Sequence, residues 1–189
     1  IAQLKANSSN NTIFADSKGN IAYLHPQFVP RRNDRFDFSK PVEGSDPNTD
    51  SGSLHSIPEL PNVINPPSGW VQNTNSWPYR AAGEFSARPE RFPKYMDLFG
   101  PNFREVHALN LLSGSRGWTL ERLNAAAYDS HQPGFATLIP MLVKAYDDLA
   151  KRDLRRARLG APIAVLRSWN HHWSGESVAQ TLATVWTEE

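Results

Sequence analysis

The chain has 189 residues, which is enough for one domain with a sizeable hydrophobic core, because domains commonly run to roughly 100–150 residues. Its 20 Lys and Arg nearly balance 19 Asp and Glu, and a formal net charge of +1 creates no field that favours nucleic acid or an anionic membrane as a partner. There is no cysteine, which excludes disulfides, a thiol nucleophile and every cysteine-based zinc site. No apolar run approaches the roughly 20 residues that a membrane helix needs. The composition therefore predicts a globular protein that binds neither nucleic acid nor a membrane.

Two short apolar segments near the start of the chain predict a β-hairpin. Residues 12–15 and 21–24 flank the polar segment 16–20, in which Gly19 can supply the positive φ that a hairpin loop needs. From about Pro26 to Pro67 the chain is rich in Pro, Asn, Asp, Ser and Gly and shows little periodicity, which predicts irregular structure. A loop of this length is unusual within a compact domain. It is therefore either functional or packed against other parts of the protein.

Residues 70–74 favour a short strand, which ends before Pro78 because proline cannot donate to a sheet ladder. Further along, apolar residues recur at helical spacing. The apolar spacing of residues 103–112 predicts a helix of about three turns, which ends at residues 113–115. That segment is interpreted as a linker between helices. Thr119 is a plausible N-cap for the helix that follows it.

The rest of the chain is predicted to be helical. Apolar residues between 135 and 149 recur every three or four positions, the pattern of a long amphipathic helix. Acidic residues accompany the basic segment 151–158, which therefore indicates a solvated helix face and not a nucleic-acid site. A last helix is expected from about Ser177 through Trp186.

The most informative segment is residues 69–78, which read GWVQNTNSWP. Acyl transfer needs a hydrogen-bond donor fixed where the oxyanion of the tetrahedral intermediate forms, and the Asn amide donates without titrating. Asn75, placed after the predicted strand and before Trp77 and Pro78, is the best candidate for that donor. The alternative is structural, because Asn before a turn that contains proline is commonly a turn former.

Three segments in this order resemble the middle of the β chain of the penicillin acylase (penicillin amidase) family, which are N-terminal-nucleophile hydrolases. They are residues 11–23 (NTIFADSKGNIAY), 60–67 (LPNVINPP) and 69–78. The resemblance runs from about residue 10 to residue 104 and continues more loosely to the end of the chain. It is nearest the branch that contains penicillin and acyl-homoserine-lactone acylases.

The resemblance implies an α+β chain that forms part of an αββα sandwich. Residues 1–80 would supply strands and loops of the hydrolase core, and residues 81–189 a mostly helical part, together making one incomplete domain of a larger β chain. It also implies that the partners are the rest of the β chain and an α chain from the same precursor. The expected location is periplasmic or secreted.

The resemblance further implies that Asn75 is the side-chain donor of the oxyanion hole and that Arg104 orients it. A guanidinium suits this role because its rigid fork of donors stays charged. Without the resemblance, Arg104 reads as a surface arginine of the helix. The family's nucleophile is a Ser at the N-terminus of the β chain, which the resemblance places upstream of Ile1. The isolated polypeptide is therefore expected to be inactive.

No cofactor is expected for the chemistry, although the resemblance implies that the whole enzyme can carry a structural calcium ion. Asp97 lies where one ligand could fall, and Asp37 is a weaker candidate; the alternative for each is an exposed aspartate. His171 and His172 invite a metal site, but neighbouring histidines point apart and no carboxylate lies at ligand spacing. They more readily form a Trp-rich junction between helices.

Two functions follow. The first is an internal segment of an amidohydrolase that cleaves a small, linear amide into a carboxylic acid and an amine. The second is a non-catalytic binding or structural module whose aromatic residues face a partner.

Overall fold

The computed structural model describes residues 10–96 and 100–188, and the chain divides after Ser113 into two compact units. The first unit combines a small antiparallel sheet with several single turns of 3-10 helix and ends in an α-helix, and the second contains α-helices only, apart from its connections. This is the predicted α+β composition, with strands first and helices afterwards. No helix within the described ranges is long and apolar enough to cross a membrane. The division predicted at residue 80, between a strand-and-loop part of the hydrolase core and a mostly helical part, stays a prediction.

The sheet has three strands in the order β1 (Thr12–Ala15), β2 (Ile21–Leu24) and β3 (Val63–Ile64). Strands β1 and β2 form the predicted antiparallel hairpin, in which Thr12 faces Leu24 and Ala15 faces Ile21. Gly19 has a φ of 84° in the connecting turn, as its position predicts. The prediction of the hairpin and of its turn is confirmed.

The range predicted to be irregular, from about Pro26 to Pro67, is largely so, with single turns of 3-10 helix at 47–49 and 57–59; the short strand β3 falls within this range and was not predicted. Two local apolar clusters take the place of a regular element: the first joins strands β2 and β3 to residues 81–82, and the second includes residues of the range itself. One contains Tyr23, Val63, Ala81 and Ala82. The other contains Leu60, Tyr95 and Met96, with partly buried neighbours that include Trp77.

Residues 70–74 form no strand, so that prediction is wrong. The Gln72 backbone N–H donates to the Ala81 carbonyl at 2.8 Å, and the Gln72 side chain donates to the Arg80 carbonyl at 3.1 Å. These hydrogen bonds join residue 72 to the turn at 78–80 and do not continue as a β-ladder. Residues 70–74 therefore form a partly buried irregular segment, in which Gln72 is the buried residue.

Helix α1 (Phe103–Leu112) closes the first unit and matches the predicted helix. Its N-cap is Asn102, whose side-chain oxygen accepts from the Glu105 backbone N–H at 2.9 Å. Asn102 and Glu105 have the spacing of a capping box, which fixes where this helix begins.

Four helices form the second unit, and they pack through α3, α4 and α5. They are α2 (Leu120–Ala127), α3 (Pro133–Asp147), α4 (Leu154–Arg167) and α5 (Val178–Glu188). The apolar face of α3 meets α4 and α5 in a core of Ile139, Leu166, Trp169, Ala179 and Ala183. Thr119 caps α2 by accepting from the Arg122 N–H at 3.2 Å, as predicted. Segment 151–158 is mostly exposed and Arg155 pairs with Asp153, which confirms a solvated helix face.

Candidate active site

Asn75 lies in a tight loop of residues 73–76, called here the Asn75 loop. Its φ of 64° is left-handed, a conformation that Asn tolerates better than most residues with a Cβ. The Asn73 side chain holds this turn: its Oδ1 accepts from the Asn75 N–H at 3.1 Å and its Nδ2 donates to the Ser76 carbonyl at 2.9 Å. Asn75 therefore forms the turn and also exposes its side chain. The predicted position of Asn75 at the end of a strand is not observed.

The structure brings the two predicted site residues into contact. The Arg104 Nη1 donates to the Asn75 Oδ1 at 3.1 Å, across 29 positions of sequence. A guanidinium can only donate, so it selects the oxygen of the amide and leaves the Nδ2 pointing elsewhere. Within residues 10–96 and 100–188, no acceptor bonds to that Nδ2. The amide therefore offers a free N–H donor whose direction is set by a cation.

Two further tethers fasten the Asn75 loop to the start of α1. Asn102 Nδ2 donates to the Thr74 carbonyl at 3.0 Å, and the Ser76 hydroxyl donates to Glu105 Oε1 at 2.8 Å. Thr74, Asn75 and Ser76 are therefore each held by a residue at or near the N-terminus of the helix.

Glu105 is the buried member of this junction, with only 2% of its surface exposed. Arg80 Nη1 lies 3.8 Å from its Oε2, and the first turn of a helix also favours a carboxylate. The sequence-based prediction missed Glu105 as part of the site. Its signal was the spacing of Asn102 and Glu105, which indicates a helix start but does not reveal that the carboxylate binds Ser76.

An open cleft of about 230 Å³ lies beside Asn75. It is lined by Asn11, His25, Gln27, Asn75, Ser76 and Trp77. The lining combines side-chain amides from the two ends of the β-hairpin with one indole and one imidazole. A cleft of this kind can hold a small polar group beside the Asn75 side chain.

His25 is a buried base at this cleft that the sequence-based prediction also missed. Only 3% of its surface is exposed, and burial lowers the pKa of the imidazole to about 4, so the ring is neutral at pH 7. The ring stacks on Trp77 with 4.8 Å between centroids, and its Nδ1 lies 3.2 Å from the Tyr23 hydroxyl. Burial raises the pKa of that phenol, which therefore keeps its proton. The Nε2 is buried without a partner among the described residues.

Two further candidates, for a metal ligand, are Asp97 and Asp37. Asp97 lies outside the described residues. Asp37 is exposed, and the Ser39 hydroxyl, the Ser39 backbone N–H and Lys40 lower the pKa of its carboxyl within a local turn. In the described part of the chain, no three His, Asp or Glu side chains are grouped so that they could hold a metal ion.

The two adjacent histidines lie in the second unit and form a junction, in agreement with the non-metal interpretation. His172 Nδ1 is 3.1 Å from the Ser130 hydroxyl, and its backbone forms a bridge with His131. Trp169 packs on Phe135 nearby, with 5.4 Å between ring centroids. His171 is held at a φ of 60° between them.

Comparison with known proteins gives one family and one fold. The penicillin amidase family matches residues 1–189, the whole of the chain. Among solved structures, the chain is similar to a thermostable penicillin G acylase from Alcaligenes faecalis, with 22% sequence identity and a TM-score of 0.60. The match covers 94% of this chain but 31% of that one, so the chain spans about a third of the acylase. By the extent of the family match, this chain belongs to the penicillin amidase family.

Proposed function

We propose that this chain supplies the oxyanion-binding part of the active site of an amide hydrolase. The enzyme cleaves a linear amide into a carboxylic acid and an amine. Membership of the penicillin amidase family supports the reaction class. The single observation that carries the assignment of residues is the hydrogen bond from Arg104 to the Asn75 oxygen, which leaves the amide nitrogen without an acceptor among the described residues, at a residue that lines a cleft.

The proposed chemistry uses Asn75 Nδ2 as the donor to developing negative charge. A nucleophile attacks the amide carbon, the carbonyl oxygen becomes an oxyanion, and the Nδ2 N–H donates to it. The C–N bond then breaks, the amine leaves with a proton, and water releases the carboxylic acid from the acyl-enzyme. Because Asn does not titrate, the donor is present at every working pH.

Arg104 acts on the substrate only through Asn75. Its positive charge at Oδ1 withdraws electron density from the amide and strengthens Nδ2 as a donor. It also prevents the amide from rotating to present its oxygen, which would repel the oxyanion. The three tethers from the Asn75 loop to α1 keep this geometry fixed before the substrate arrives, as preorganised stabilisation requires.

We propose a wider architecture for the whole enzyme. The nucleophile is a Ser at the N-terminus of the β chain, upstream of this segment, and the fold is an αββα N-terminal-nucleophile sandwich completed by an α chain. This polypeptide alone is then inactive, and the enzyme is periplasmic or secreted. For a structural calcium ion in the whole enzyme, Asp97 is the one proposed ligand of this chain. The described residues contain no group of carboxylate and imidazole side chains that could hold a metal ion.

The test is the Asn75→Ala variant of the whole enzyme, assayed with a chromogenic acyl anilide. Loss of one oxyanion donor should lower kcat by about 10²–10³-fold. The matched control is Asn65→Ala, because Asn65 is also a left-handed Asn of the first unit but does not line the cleft. Retention of more than about a tenth of the activity in Asn75→Ala, set against the magnitude expected for such a donor, contradicts the proposal.

The second candidate function is a non-catalytic binding module. It is favoured by exposed apolar residues on the sheet, where Ile13 is 52%, Phe14 46% and Ile64 67% exposed. The upstream coding sequence separates the two: the hydrolase requires a Ser that follows a cleavable linker, and the binding module does not.

A further inference from the structure

Three side-chain amides form a hydrogen-bonded chain that ends on the Asn75 loop. Gln27 Nε2 donates to Asn11 Oδ1 at 2.8 Å, and Asn11 Nδ2 donates to Asn73 Oδ1 at 2.8 Å. We call Gln27, Asn11 and Asn73 the amide relay. Asn11 directly precedes β1 and Gln27 follows β2, so the relay joins both ends of the hairpin to the loop.

The relay fixes which way the Asn73 amide faces. Its oxygen accepts from both Asn11 Nδ2 and the Asn75 N–H, while its nitrogen donates to the Ser76 carbonyl. Turning this amide over would place two donors against each other at Asn75 and two acceptors at Ser76. Asn11 opposes that rotation because its own oxygen is already occupied by Gln27.

The orientation matters because Asn75 is held in a conformation that is unfavourable for a residue with a Cβ. Such conformations persist only where the surroundings determine them strongly. The Asn75 N–H bond to Asn73 is the contact that closes the left-handed turn, and Arg104 then binds the side chain. The relay therefore acts on the backbone of Asn75, whereas Arg104 acts on its amide.

We propose that Asn11 and Gln27 are positioning residues for Asn75 and act on it through Asn73. The inference rests on the proposed function, because Asn75 must be the oxyanion donor for its position to affect the rate. Both residues also line the cleft, so the rival interpretation is that they bind the substrate directly. The two interpretations differ in whether kcat or KM responds.

The test is Asn11→Asp in the whole enzyme, with kcat and KM measured for a chromogenic acyl anilide. A carboxylate cannot donate to Asn73 Oδ1, so Asn73 turns over and the Asn75 turn is lost. We expect kcat to fall at least about tenfold, since small misplacements of catalytic groups are costly, and KM to stay within about threefold. As the pH is lowered and the new carboxyl takes up a proton, it regains a donor. The ratio of variant kcat to wild-type kcat should then rise.

A double-mutant cycle separates positioning from loss of stability. If Asn11 acts through Asn73, the Asn11→Ala and Asn73→Ala pair should lower kcat no further than Asn73→Ala alone. Asn20→Ala is the matched control, because it removes an amide from the turn end of the same hairpin, where Asn20 bonds Asp16 and Asn65. Its kcat should stay within about twofold of wild type, as expected for a change away from the site.

The outcomes are distinct. Full activity in Asn11→Asp, together with an inactive Asn75→Ala, overturns the relay but leaves the proposed function intact. A raised KM at constant kcat also overturns it and assigns Asn11 to substrate binding. Full activity in Asn75→Ala overturns the proposed function and the relay with it. If Asn11→Asp fails to fold, the alternative variant is Gln27→Glu, which removes the hydrogen-bond donor to Asn11. An unchanged kcat in Gln27→Glu counts against the relay.

Discussion

Two asparagines of the first unit share a conformation but use their amides differently. Asn65 has a φ of 47° and Asn75 a φ of 64°. The Asn65 amide is fully engaged: its Oδ1 accepts from the Ile21 N–H and its Nδ2 donates to Asn20, each at 2.9 Å. The Asn75 amide has a cation on its oxygen and, within the described residues, no acceptor for its nitrogen.

The difference shows what distinguishes a reactive site from a structural turn. Both residues accept the cost of a left-handed backbone, about 1–2 kcal/mol for a typical residue and less for Asn. At Asn65 the amide offsets that cost by stabilising the hairpin. At Asn75 the offset comes from neighbours, Asn73 and Arg104, and the donor remains available for a ligand.

The largest expected effect is on the free energy of unfolding and concerns His25, the buried base beside the Asn75 loop. Its pKa in the folded protein, about 4, is below the ordinary value of 6.5, so only the unfolded chain takes up this proton between those values. The free energy of unfolding should therefore fall as the pH drops from about 6.5 to about 4, by up to about 3 kcal/mol, and change little above that window. Urea unfolding at several pH values measures this.

His25→Gln provides the comparison, because Gln does not titrate. The variant loses stacking on Trp77 and should be less stable at pH 8, but its stability should depend less on pH between about 6.5 and 4. Identical slopes for the variant and the wild type would show that His25 is not the buried neutral base described above.

The next effect is on the rate. Replacing Arg104 removes the cation that distinguishes the Asn75 amide from the Asn65 amide. Arg104→Met leaves the Asn75 oxygen without its donor, so the amide can rotate and the oxyanion is met less often by an N–H. We expect kcat to fall by about 10–10²-fold, less than for loss of the donor itself. Steady-state kinetics of the whole enzyme provide the measurement.

Arg104→Lys is the matched variant, because lysine keeps the charge but lacks the planar fork. It should retain more activity than Arg104→Met. If both variants matched the wild type, Arg104 would be an ordinary surface arginine of the helix and Asn75 would need no orienting cation.

The regular elements were largely predictable, because periodicity and caps are local. Thr119 caps α2, and the apolar spacing of residues 135–149 marks α3. Helix α4 was the exception: Gly160 and Pro162 suggest a break, yet the helix continues to Arg167 because Ile163 and Leu166 are buried.

The candidate site was predictable only in part. The resemblance pointed to Asn75 and Arg104, which the structure joins across 29 residues. The relay could not be predicted, because Asn11 and Asn73 are 62 positions apart and nothing local pairs them. The strand predicted at residues 70–74 failed for a related reason: its polar residues bond to the turn at 78–80, to Asn11 and to Asn102 instead of a neighbouring strand.

The most direct test of the central claim is the affinity of a tetrahedral mimic. A boronic acid that forms an adduct with the nucleophile presents an oxygen where the oxyanion forms, whereas the product carboxylic acid does not. In Asn75→Ala, calorimetry should show boronic acid binding weakened by about 10²–10³-fold and product binding changed less than about threefold, because Asn75 acts mainly on the transition state. Equal weakening of both ligands, or of neither, would contradict the assignment of Asn75 as the oxyanion donor.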